Sequence, residues 1–119
     1  MQNNPVVVFV ADEKRSQEFI NNSNLVTFGA DNMHGALAQV LFSYPDVIVI
    51  DARDSMLRAE DTFFHLRSIN HPPIIILSNL RQRWDTSGEN DVIVMSEYSA
   101  NGEIEEQIRS ILASKKVAC

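Results

Sequence analysis

Residues 45–54 read Pro-Asp-Val-Ile-Val-Ile-Asp-Ala-Arg-Asp. The run at 47–50 is β-branched throughout and apolar at every position, so both faces of a strand built from it need cover. That is the pattern of a parallel sheet with helices packed on each side. Asp51 ends the run. Working outward, runs of the same character stand at 6–10, 74–77 and 92–95, with a weaker one at 25–28.

Segments of helical period lie between the runs. Met33, Ala36, Leu37, Val40 and Leu41 form one stripe, with Asp31 as the expected N-cap and Tyr44-Pro45 as the stop. The last segment carries Ile104, Ile108, Ile111 and Leu112; it opens with Glu103, Glu105 and Glu106 and finishes with Lys115 and Lys116, both clusters complementing the helix dipole. Phe63, Leu66, Arg67 and Ile69 mark a third helix, ended by His71-Pro72-Pro73. A shorter first helix is expected from Lys14 to about Asn21, burying Phe19 or Ile20. The segment NLRQRWDTSGEN at 79–90 offers only Leu80 and Trp84 as an apolar pair, which predicts a shortened or missing helix. Strand and helix thus alternate through an α/β chain, a doubly wound five-stranded parallel sheet with right-handed crossovers, forming a single domain over 1–119.

Composition narrows the function. Ten Lys plus Arg against sixteen Asp plus Glu give a net charge of −6, which argues against direct nucleic-acid binding, since that affinity rests on clustered basic residues. The single cysteine, Cys119, excludes an intrachain disulfide and a Cys-rich zinc site; His65 and His71 have no Cys or His partner at ligand spacing, and His34 is expected to be a surface or helix-start histidine. The first apolar run is too short for a signal core or a bilayer span, so no membrane association and a cytoplasmic location are expected. No phosphate-cradling Gly-rich loop appears, and a metabolic enzyme is not expected.

In an open parallel sheet, ligands bind beyond the carboxyl ends of the strands. Asp12 and Glu13 follow the first run, Asp51 the third, Ser78 and Asn79 the fourth, Met95 and Ser96 the fifth. Carboxylates with water are the usual way to hold Mg²⁺, and a carboxylate beside that ion can act as a nucleophile toward a phosphoryl group. Asp51 and Asp54 stand three apart, which excludes the paired aspartates, two apart, of haloacid-dehalogenase-type phosphatases.

PVVVFVADE at 5–13, PDVIVIDARD at 45–54 and PPIIILSN at 72–79 resemble the receiver domain of two-component response regulators, and the resemblance runs across essentially the whole chain. It implies a flavodoxin-like sheet of order 2-1-3-4-5, with Asp51 as phosphoacceptor and Ser78 as the phosphate-sensing hydroxyl. It also implies Mg²⁺ held by Asp12, Asp51 and the backbone carbonyl of Arg53, with Glu13 reaching the ion through water. The implied partners are a histidine kinase or phosphotransfer protein and an output domain or downstream protein; a homodimer is compatible with it.

Several positions depart from the family pattern. The acidic pair is reduced by Ala11, the expected Lys-Pro after the fifth strand reads Met95-Ser96, and the switch aromatic reads Val92. A thioether cannot donate a charge-assisted hydrogen bond to a phosphate. The chain therefore reads as an atypical receiver with a weakened switch. The alternative is a phosphorylation-independent pseudo-receiver acting as an interaction or dimerisation module. Trp84, flanked by Arg81 and Arg83, is expected either to cover the sheet beside the short helix or to anchor a partner.

Overall fold

The structure is a computed structural model, and residues 5–52, 59–69, 72–78, 84 and 91–117 are described. Five strands, β1 (Val6–Val10), β2 (Val26–Ala30), β3 (Val47–Asp51), β4 (Ile74–Ser78) and β5 (Val92–Ser96), pair in parallel in the order β2-β1-β3-β4-β5. Four helices are described: α1 (Glu13–Asn22), α2 (Met33–Ser43), α3 (Ala59–Arg67) and α4 (Asn101–Val117). The expected sheet and its order are those of the structure. The shortened or missing helix expected between β4 and β5 concerns residues that, apart from Trp84, lie outside the described ones.

Strand alternation sorts the core into two layers. Val8, Val10, Ile48, Ile50, Ile74 and Ile76 pack with Ala36 and Val40 of α2 and with Phe63 and Leu66 of α3. Val7, Phe9, Val47, Val49, Ile75 and Leu77 pack on the other side, with Phe19 of α1 and Ile104 and Ile108 of α4. Every residue of β3 and β4 is buried, as a central strand covered on both faces requires. Phe19, not Ile20, is the buried member of its pair, and its ring stacks on Phe9 at 4.7 Å between centroids. α1 approaches β2 so closely that a Cβ on Gly29 would lie 3.1 Å from the Ser16 Cβ, so a glycine here sets how near α1 sits to the sheet.

Local boundaries differ from the sequence expectation in four places, of which the smallest is that α1 starts one residue early, at Glu13. The N-cap of α2 is Asn32, not Asp31: the Asn32 Oδ1 accepts from the Gly35 N–H at 2.7 Å, while Asp31 Oδ1 accepts from the Asn32 side-chain amide at 2.9 Å. Asn satisfies a first-turn donor as well as Asp does and stands one residue closer to the stripe. β2 starts after Leu25, which packs instead into the α1/α4 layer. α3 ends at Arg67, and Ser68 and Ile69 close it with turn bonds to the carbonyls of His65 and Leu66. Among the described residues, no helix is long and apolar enough to cross a membrane.

Candidate functional site at the carboxyl edge of the sheet

Val10 pairs with Ile50, and Asp51 pairs with Leu77, so β1, β3 and β4 end side by side. The ladder continues one step further, with the Ala52 N–H donating to the Leu77 carbonyl at 2.9 Å. Asp51 is 3% exposed and Ser78 is 4% exposed. They share the edge on adjacent strands, but their positions alternate: Asp51 continues the Val47, Val49 row toward α1 and α4, and Ser78 continues the Ile74, Ile76 row toward α2 and α3. Each polar group therefore meets a partner from a different layer.

Among the described residues Asp51 faces Arg15, from the first turn of α1. Its Nε lies 3.5 Å from the Asp51 Oδ2. This is an ion pair without hydrogen-bond alignment, since the Arg15 Nε is buried and makes no hydrogen bond among the described residues. The rest of the guanidinium is held by α4, where Nη1 donates to the Asn101 Oδ1 at 2.7 Å, and by the Phe9 ring, whose centroid lies 5.4 Å from Cζ. With Arg15 only 13% exposed, its charge is close to the carboxylate and poorly screened by water, which offsets the cost of holding Asp51 inside.

Ser78 meets Trp84, whose indole Nε1–H donates to the hydroxyl at 2.7 Å. The indole is half-buried against the α2/α3 layer and stands edge-on to Phe63 at 5.7 Å. Covering the sheet is thus the role Trp84 fills, as one of the two sequence readings expected. Met95, where a lysine was expected by resemblance, is partly buried and packs against the α1/α4 layer. Val92, in place of the switch aromatic, packs against the other.

Asp12 and Glu13 are exposed. Asp12 is the N-cap of α1, its Oδ1 accepting from the Arg15 N–H at 2.8 Å, and Glu13 opens the first turn. Arg53 and Asp54 lie outside the described residues. For Mg²⁺ the described donor set does not fit. Ala11 offers no carboxylate, one Asp12 oxygen is committed to the cap, and Asp51 already faces a guanidinium that would repel a dication. Among the described residues no three His, Cys, Asp or Glu side chains gather as metal ligands.

Arg15 is the site residue that sequence reasoning missed. The signal was present: a cation in a helix's first turn opposes the dipole, so Arg15 behind the cap Asp12 called for a compensating anion. What the sequence could not supply was the distance to Asp51.

No protein-family model matches the chain, and no curated protein matches it. Solved structures do. The receiver domain of the Francisella response regulator 1452 is 27% identical, with a TM-score of 0.69, covering 95% of this chain and 99% of that one. A response regulator receiver domain protein from Clostridium thermocellum is 15% identical, with a TM-score of 0.75 and coverages of 97% and 99%. The N-terminal domain of the nisin resistance regulator NsrR, a lantibiotic response regulator, is 15% identical at a TM-score of 0.73, with coverages of 92% and 99%. The fold is that of the receiver domains of two-component response regulators.

Proposed function

We propose that the chain is a signalling receiver in which Asp51 is the phosphoacceptor and the occupancy of that site is passed to a protein partner. One observation carries this reading: a buried carboxylate ends the central strand, at the same sheet edge as the buried Ser78 hydroxyl on the adjacent strand. An Asp51 oxygen would attack the phosphorus of a histidine kinase, phosphotransfer protein or small phosphodonor. The new O–P bond forms as the bond to the donor's leaving group breaks, and the leaving group departs with that electron pair. The partner downstream is an output domain or separate protein, in the cytoplasm. A negative chain reads a protein surface more readily than nucleic acid.

A second reading, a phosphorylation-independent pseudo-receiver, is favoured by the hydroxyl of Ser78 already accepting from Trp84 and by Met95 in place of a cation. Intact-mass analysis after incubation with acetyl phosphate separates the two. The phosphoacceptor reading expects one phosphoryl adduct on the wild type and none on Asp51→Asn. A wild type that stays unmodified, or an adduct retained in Asp51→Asn, leaves the pseudo-receiver.

A further inference from the structure

We propose that Arg15 is the resident cation of the Asp51 site, supplying the positive charge there in place of a divalent ion, and that it transmits the charge of Asp51 to the start of α4 through Asn101. The proposal rests on reading Asp51 as the centre of the signalling site. Its first support is placement. The guanidinium lies within 3.5 Å of the carboxylate, and its other end bonds Asn101 at 2.7 Å, across 86 positions of sequence. Its second support is fixation. The Arg15 N–H is held by the Asp12 cap, the side chain lies over Phe9, and Nη1 lies 3.9 Å from the Glu18 carboxylate on the next turn.

A guanidinium brings a fixed positive charge in a planar fork, so this site has a cation without a metal. A dication bound at Asp51 would stand a few ångströms from the guanidinium, and the repulsion weakens its binding. Adding or removing negative charge at Asp51 changes the pull on the same guanidinium that Asn101 holds. α4 is therefore the element that senses the site.

The test is Mg²⁺ titration of the full chain by amide NMR, in wild type, Arg15→Gln, Arg15→Lys, Asp51→Asn and the Arg15→Gln/Asp51→Asn double variant. Arg15→Gln should bind Mg²⁺ about tenfold or more tightly than wild type, and the gain should vanish in the double variant. Arg15→Lys, which keeps the charge but not the planar fork, should retain the wild-type weakness. Asp51→Asn should shift the Asn101 and Gly102 amides in the wild-type background and not in Arg15→Gln or Arg15→Lys. The Lys comparison stands if Arg15→Gln does not fold.

Unchanged Mg²⁺ affinity in Arg15→Gln, a gain that persists without Asp51, or an Asn101 response that survives the loss of Arg15 overturns the proposal. Phosphoryl transfer is scored separately. Adducts on the wild type with no Mg²⁺ gain in Arg15→Gln remove Arg15 and leave Asp51 as acceptor. A wild type without adducts, alongside the gain and the Asn101 coupling, leaves the Arg15 pair and removes the phosphoryl reading.

Discussion

The indole of Trp84 donates to the hydroxyl of Ser78 at 2.7 Å, so a residue from the connection between β4 and β5 holds the only hydroxyl at the end of β4. A side-chain hydrogen bond of this kind is worth about 1 kcal/mol net, and a half-buried indole contributes more through packing than through its N–H. Trp84→Phe and Ser78→Ala should each destabilise by about 1 kcal/mol, and Trp84→Ala by about 2–4 kcal/mol. In urea unfolding, the Trp84→Phe/Ser78→Ala cycle should show that the two single losses do not add. Full additivity would mean that the bond contributes nothing.

The C-cap of α2 is Tyr44, with φ 49° and ψ 60°, the one non-glycine residue at positive φ among those described. Its side chain is 82% exposed, so little packing offsets the left-handed backbone. Tyr44→Gly should stabilise the protein by about 0.5–1 kcal/mol, read as a higher unfolding midpoint. A lower midpoint would mean that the ring contributes contacts that its exposure does not suggest.

Glu105 of α4 is held below the ordinary glutamate value of 4.5, chiefly by the Ser23 hydroxyl, with further help from the Asn24 N–H and Arg109, while burial acts the other way. The Asn24 N–H donates at 3.3 Å and Arg109 lies at 3.2 Å. A carboxyl lowered on folding contributes stability that is fully present above its unfolded value and lost as pH falls through the folded one. Glu105→Gln should therefore cost stability at neutral pH, and the gap from wild type should narrow as the pH is taken progressively below 4.5. Denaturant midpoints at neutral and acid pH check this, and a gap that widens in acid would reverse the sign.

Much of the architecture was legible because its signals are local. The run ending at Asp51 is apolar on both faces, and the stripe from Met33 to Leu41 repeats at helical spacing, so a covered parallel sheet followed. The cap of α2 falls one residue from the sequence expectation because Asp31 and Asn32 have equal capping chemistry, and only backbone geometry distinguishes them. The candidate site was legible by position and not by partnership. Asp51 and Ser78 could be assigned to one edge, but the opposite facing of their side chains, and hence Arg15 on one side and Trp84 on the other, depends on the register of β3 against β4. Asp12 shows the reverse case: its position at the edge invited a ligand role, and the backbone of α1 uses one of its oxygens as a cap.

The most direct measurement of the central claim is an amide NMR titration with beryllofluoride, a phosphoryl mimic, run with and without Mg²⁺ on wild type and Asp51→Asn. A receiver site centred on Asp51, with Arg15 as its cation, predicts saturable shifts at Asp51, Ala52, Ser78 and Asn101 in the wild type under both conditions, and none in Asp51→Asn. A wild-type spectrum that does not respond, or an equal response in Asp51→Asn, would contradict it.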